Sequence, residues 1–248
     1  MVKKIVGTGV LLVLALALQA GVKMYTLKSP DGKVKLEVTA GQGIAYSLFY
    51  DGRLLLKPSR IALHTDLPEA DHWENIRITG TKQRHVSETV QAPFYRVKEF
   101  GIDCNELELR LNNGFSLLMR AYNDGMAYRF VAGRKGEMTV VEERAEFNFA
   151  DDFEAYIPYS TNPKDPWNMA FQNFYTKAPL TQYNTELPAF LPLTVDVGAV
   201  KLTLLESDLE AYPGMFVCGD GKTPALKGVF AAYPQETFKN KWRCQETV

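Results

Sequence analysis

Apolar and polar residues alternate with a period of two along most of the chain, the pattern of a strand with one buried and one solvated face. Val34, Leu36 and Val38 alternate with Lys33, Lys35, Glu37 and Thr39, and Leu107, Leu109 and Leu111 alternate with Glu106, Glu108 and Arg110. Tyr46–Tyr50, Arg53–Leu56, Val195 with Val197, and Lys201–Leu205 extend the series. The clearest pair is Phe115–Ala121 and Met126–Val131, joined by Asn123-Asp124-Gly125. Those turn residues tolerate positive φ and predict a tight β-hairpin. Asp-Gly pairs beginning at 31, 51, 124 and 220 mark turns along the chain,. Many short strands separated by turn chemistry predict an all-β, mainly antiparallel body. One large two-sheet sandwich is more economical here than two small domains.

Two stretches break the rhythm. Pro158–Pro192 holds six prolines and no long alternating run. Proline removes a ladder donor and is excluded from central strands, so this segment reads as surface loop with a short helix around Met169–Tyr175. Ser207-Asp208-Leu209-Glu210 has the form of a capping box and predicts a second short helix, stopped at Tyr212-Pro213-Gly214,.

The first 20 residues differ in kind. Lys3 and Lys4 precede an apolar run, Ile5–Leu18, and Ala20 offers a small residue for cleavage. This is the pattern of a secretory signal peptide over residues 1–20, with a mature chain starting near Gly21. The alternatives are a membrane anchor or a buried first helix. The run is shorter than the ~20 residues a spanning helix needs. The expectation is a secreted or periplasmic protein with no membrane span after signal removal.

Charge and cysteine content narrow the chemistry. Lys and Arg number 28 against 29 Asp and Glu, with no basic stripe, so a nucleic-acid partner is not expected,. Cys104, Cys218 and Cys244 are odd in number and form no CxxC, which argues against zinc,. One disulfide is open to an exported protein, but buried free thiols are the simpler reading. There is no Gly-rich phosphate loop, GxSxG elbow or HExxH,.

His64, His72 and His85 sit well apart and read as surface or hydrogen-bonded residues. His72-Trp73-Glu74-Asn75 mixes ring and polar groups of a kind that touch sugars, although a partly buried Trp at a strand start is the simpler account. Carboxylates are plentiful: Glu142, Glu143, Asp151, Asp152, Glu206, Asp208 and Glu210. Glycoside hydrolysis needs two of them, ~5–5.5 Å apart for retention and ~6.5–9.5 Å for inversion. Sequence spacing within sheets does not establish such a pair. Glu206, Asp208 and Glu210 are explained by strand ends and a helix cap, and Asp151-Asp152 by a solvated turn.

Several runs, in order, resemble the N-terminal domain of glycoside hydrolase family 97. They are Ser29-Pro30-Asp31-Gly32, Pro93-Phe94-Tyr95, Asn105-Glu106-Leu107, the Tyr122–Phe130 hairpin, Phe171–Thr176, Leu191-Pro192-Leu193 and Glu206–Gly214. The resemblance covers about Tyr25 to Tyr233. It implies a galactose-mutarotase-like super-sandwich over residues 21–238 with one or two short helices. It also implies a parent enzyme that is an exported α-glucosidase or α-galactosidase, chiefly of Bacteroidetes, acting on α-linked oligosaccharides. In that family a central (β/α)8 barrel carries the catalytic carboxylates and a calcium ion (Ca2+). The N-terminal domain packs on the barrel and lends the ion a glutamate from a pattern like [FY]-E-x-x-Y. Here the matching run is Phe171-Gln172-Asn173-Phe174-Tyr175, so Gln172 stands at the metal-ligand position. Its amide oxygen is neutral, which implies weaker calcium binding. Glu206–Gly214 is more similar to the retaining α-galactosidase branch.

No alternating strand and helix pattern precedes Val248, and residues 239–248 read as a truncated tail. The barrel and its catalytic residues are expected outside this chain, which should not hydrolyse glycosides alone. Two other readings remain at this stage. One is a stand-alone carbohydrate-binding sandwich using Trp73, Trp167 and Trp242. The other is a mutarotase-like epimerase, which needs a histidine and a carboxylate poised in a concave site.

Overall fold

The computed structural model describes residues 22–71, 73–167, 171–210, 212–232, 236–239 and 244–247. The strands in chain order are β1 (Lys23–Lys28), β2 (Val34–Gly41), β3 (Gly43–Tyr50), β4 (Arg53–Thr65), β5 (Ile78–Gln91), β6 (Glu99–Leu111), β7 (Phe115–Tyr122), β8 (Gly125–Ala132) and β9 (Val140–Asn148). There follow β10 (Glu154–Ile157), β11 (Thr176–Pro179), β12 (Leu193–Asp196), β13 (Lys201–Leu204), β14 (Met215–Gly219) and β15 (Ala225–Phe230), then β16 (Glu236–Lys239) and β17 (Cys244–Thr247). The paired strands whose registers are assigned run antiparallel. The all-β sandwich architecture expected from the alternation is the one observed.

The chain groups into two compact units, one of residues up to 52 with 65–139, the other of 53–64 with 140 onward. In the first unit β1-β2-β3 is a meander, and β5-β6-β7-β8 is a second sheet. β2 and β7 alternate buried and half-buried residues along their whole length, so each gives one face to the core. Leu36, Val38, Leu109, Leu117, Met119 and Ala121 are fully buried there. Tyr46 of β3 lies 5.8 Å from Tyr128 of β8 and ties the two faces, and Trp73, from the segment before β5, packs 6.0 Å from Phe115 and 5.2 Å from Phe130.

The second unit contains the order β4-β9-β15-β14, taking β4 at residues 53–64, and the sheet β11-β10-β12-β13. Phe149, Ala155, Ile157, Leu193, Val195 and Val217 form its core. The Tyr183 hydroxyl donates within 2.7 Å of the Val217 carbonyl and 3.0 Å of the Leu187 carbonyl. Arg53 Nη1 donates to the Val197 carbonyl at 2.6 Å.

The hairpin at Tyr122–Gly125 is present, with Tyr122 opposite Gly125, but none of Asn123, Asp124 and Gly125 takes a positive φ. Asn123 instead accepts the Asp31 N–H on its side-chain oxygen at 3.0 Å. At Asp51-Gly52 both residues do adopt positive φ, 48° and 79°, as a type I′ turn requires,.

The expected helix at Ser207–Glu210 is not formed. Asp208 has φ 61°, which a right-handed helix does not admit, and the segment is irregular,. Of the expected Met169–Tyr175 helix, residues 168–170 lie outside the described residues. Phe171–Tyr175 is irregular, with Phe171 at φ 54°. The proline-rich segment contains strand β11, at a sheet edge where Pro179 leaves no central ladder bond unmade, and a 3-10 turn at Leu180–Gln182,.

Cys104 is a buried free thiol and Cys218 a half-buried one, while the Cys244 side chain lies outside the described residues. Residues 1–20, where the signal pattern falls, also lie outside them. Among the described residues no helix is long and apolar enough to cross a membrane.

Leu117 is fully buried on β7, while its neighbour Ser116 faces outward. Leu117→Ala is expected to cost about 2–5 kcal/mol, read from the urea midpoint. Ser116→Ala should stay within about 0.5 kcal/mol.

Candidate functional site

Of the seven candidate carboxylates, the structure draws two together. Glu143 lies on β9, where the alternation puts it on the same face as buried Ala145 and Phe147. The Tyr212 hydroxyl donates to its Oε2 at 2.7 Å. Glu206 lies in the irregular segment after β13, and its Oε2 accepts the Met215 N–H at 2.6 Å. That bond caps the first donor of β14, an edge strand that also exchanges backbone bonds between Val217 and Ala189. The segment is thus shaped by its polar anchors, Glu206 and Tyr212, rather than by the helix its sequence suggested.

Electrostatics follow from the partners. Burial pushes the Glu143 carboxyl above the ordinary carboxylate range. The Tyr212 hydrogen bond opposes that shift and the nearby charge of Glu206 adds to it,. Burial likewise raises Glu206 against the Met215 hydrogen bond. Tyr212 is pushed far up by burial, then by its bond to Glu143. The arrangement keeps a carboxyl protonated to higher pH than usual.

The remaining candidates do not join it. Glu142, Asp208 and Glu210 are exposed. Asp151 is exposed and caps the Asp152 N–H, while Asp152 accepts the Thr181 N–H and hydroxyl at 3.0 and 2.6 Å, a turn role as expected. Gln172 is exposed, on an irregular segment. That segment is anchored by Phe171, whose ring lies 5.4 Å from Phe190 and 6.0 Å from Phe216, with Trp167 4.8 Å from Phe216. Asn173 donates to the Tyr159 carbonyl and Tyr175 to that of Pro192. Gln172 brings one neutral amide oxygen. Among the described residues no group of three or more His, Cys, Asp and Glu could hold a metal ion.

The histidines and tryptophans resolve similarly. His85 Nε2 lies 3.1 Å from Asp103 Oδ1, but both are more than half exposed on a strand pair rather than in a concave site, so the geometry an epimerase needs is not met there. His64 is half-buried on β4, and His72 lies outside the described residues. Trp73 is a core residue, Trp167 is half-buried against Phe216, and Trp242 lies outside the described residues.

Sequence reasoning passed over a second polar constellation. Glu106 is only 5% exposed although it lies on the face of β6 opposite Leu107 and Leu109. Arg84 Nε and Arg120 Nε donate to its two oxygens at 2.6 and 2.8 Å. The three residues are direct partners across β5, β6 and β7. Burial raises the Glu106 carboxyl, but the two arginine hydrogen bonds outweigh it and hold it below the ordinary range. The row borders a shallow cleft with Lys82, Glu108 and Leu118.

Comparisons with known proteins agree on one kinship. The family model described as glycosyl-hydrolase 97 N-terminal matches residues 27–245. A retaining alpha-galactosidase of Bacteroides thetaiotaomicron is 38% identical over 231 residues, covering 90% of this chain and 34% of that protein. A probable retaining alpha-galactosidase of Streptomyces bingchenggensis is 26% identical, covering 62% of this chain and 24% of that protein. Among solved structures, a family 97 enzyme of Pseudoalteromonas sp. strain K8 in complex with acarbose superposes with TM-score 0.69 at 18% identity, over 83% of this chain and 32% of its own. A beta-arabinopyranosidase superposes with TM-score 0.71 at 20% identity, over 84% of this chain and 35% of its own. At that identity the structures speak to the fold alone. The chain spans about a third or less of the length of the curated relatives it matches.

The raised carboxyls set a pH dependence. A group whose folded-state pKa lies above its unfolded value contributes stability fully present below the unfolded value and lost as pH rises through the folded one. Glu143 should therefore contribute less stability as pH rises from the ordinary carboxylate range through its own raised pKa. Glu143→Gln is expected to flatten that decline, so the urea-unfolding difference between variant and wild type grows toward the variant from pH 4 to 7.5. A difference independent of pH would contradict the assignment.

Proposed function

Because the chain belongs to the glycosyl-hydrolase 97 N-terminal family, we propose that it is the non-catalytic β-sandwich part of an exported α-glycosidase, most simply a retaining α-galactosidase. The observation that carries this is the 38% identity to the Bacteroides alpha-galactosidase over 90% of this chain and only 34% of that protein. Its work is to pack on a (β/α)8 barrel that supplies the catalytic carboxylates and to help complete the pocket for an α-linked oligosaccharide. Apolar exposure supports a docking role. Val141, Leu205 and Leu209 are 68%, 63% and 48% exposed, in the same segments as Glu143 and Glu206. Surface apolar residues in groups mark interaction sites more often than chance.

Calcium enters this reading as an ion held by the barrel. Gln172 is the residue of this chain that would face it, with an amide oxygen where a carboxylate would add charge. Calcium is a hard cation that favours oxygen ligands, and ligand charge tunes its affinity. The chain's own part is to present that oxygen from a segment pinned by Phe171.

Two measurements test the reading. The isolated chain should release no 4-nitrophenol from 4-nitrophenyl α-D-galactopyranoside. A fusion in which it replaces the N-terminal third of the Bacteroides relative should release it, and an inactive, well-folded fusion would contradict the proposal. In that fusion Gln172→Glu should tighten calcium binding by roughly tenfold, about 1.4 kcal/mol, by titration calorimetry. Unchanged affinity would remove Gln172 from the metal's surroundings.

A further inference from the structure

β5 and β6 are longer than the sheet they belong to. β6 pairs with β7 only from Cys104 to Arg110, and β5 is an edge strand. Beyond that point Ser87–Gln91 pairs with Glu99–Asp103 and, among the described residues, with no other strand. Nine of those ten residues are exposed and Ile102 is half-buried, so the ribbon has solvent on both faces. A two-stranded ribbon without a supporting layer is marginal in water.

The tip does not look like a solvent turn. The loop 92–98 is closed by the Ala92 N–H to the Lys98 carbonyl at 2.7 Å, and inside it the Tyr95 N–H reaches the Ala92 carbonyl at 3.0 Å. Gln91 donates to Glu99 at 2.9 Å across its base. On this ordered frame Phe94 is 99% exposed, Tyr95 72%, Val97 53%, Phe100 45% and Val90 41%. None of these side chains serves the core of its own unit. Arg96 and Lys98 lie among them, and the loop holds no acidic residue.

We infer that residues 87–103 are a docking arm whose aromatic tip is buried by the catalytic portion that the relatives carry beyond the matched third. This rests on the reading under Proposed function and goes further, by naming the contact. The occupant follows from length: about two thirds of the Bacteroides relative lies outside the match, and the matched region includes the arm. The socket that fits is an apolar depression bordered by carboxylates, which would receive Phe94 and Tyr95 and face Arg96 and Lys98. Exposed aromatic residues beside arginine are the composition of interface hot spots.

Trypsin tests this directly, because Arg96 and Lys98 place its cleavage sites in the tip. Cutting after them is followed by mass spectrometry in the isolated chain and in the fusion to the catalytic two thirds of the Bacteroides relative. The arm predicts cutting at least tenfold slower in the fusion. Phe94→Ser, Tyr95→Ser and Phe100→Ser together should restore it there, while leaving the melting temperature of the isolated chain unchanged. An active, compact fusion cut as fast as the isolated chain would overturn the arm and leave the proposed function standing. An inactive fusion that elutes as an extended species with its two parts undocked, with the tip cut at the isolated rate, would overturn both.

Discussion

Period-two burial is the constraint on which the rest of this molecule depends. On β2 and β7 every second side chain is buried, and the intervening ones are not. A slip of one residue would expose Leu36 and Val38 and turn Lys35 and Glu37 into the core, so the register is strongly fixed. Fixed register then decides which outward side chains meet. Arg84, Glu106 and Arg120 form one row only because 84 opposes 106 and 106 opposes 120. Glu143 is desolvated because alternation gives it the face of Ala145 and Phe147.

Two carboxylates sit apart from bulk water and are kept there by opposite means. Glu106 receives a guanidinium on each oxygen, so its charged form is favoured despite burial. Glu143 is desolvated beside a second carboxyl, so its neutral form is favoured despite the Tyr212 hydrogen bond. The first arrangement suits a strand row that must stay fixed at all working pH values. The second responds to protonation, and it fastens the segment between β13 and β14 through Tyr212. Burial raises both, and two guanidinium partners on Glu106 against one neutral phenol on Glu143 are what separate the two cases,.

The strands with clean alternation were legible in the sequence: β2, β7 and the body of β6, with the β7–β8 hairpin. β5 was not, because Val86 is its one buried residue and its polar sequence carries no period. The short helix at Ser207–Glu210 was misread because a capping pattern describes local options only. Glu206 is bound to Met215 beyond the segment and Tyr212 to Glu143 on a distant strand, and these override it,. Glu143 and Glu206 were both visible as carboxylates, but their pairing depends on a contact 69 residues long between Glu143 and Tyr212. The Glu106 row could have been suspected from a Glu among alternating leucines, yet its arginines lie 22 and 14 residues away.

What the fold does not explain is as informative as what it does. The apolar residues of β2, β6 and β7 are accounted for by their own core, and removing any of them would leave a cavity. Val90, Phe94, Tyr95, Val97 and Phe100 have no such account, since they lie on a ribbon wet on both sides. Nor do Val141, Leu205 and Leu209. Chance leaves single apolar residues on any surface, but it does not place two nearly naked rings on a loop ordered by its own hydrogen bonds. Rigid presentation lowers the entropic cost of being bound, and it has no use in a residue meant only for water. The cores of the sandwich are closed without these rings, so their presentation is the part of the structure that its own packing leaves over.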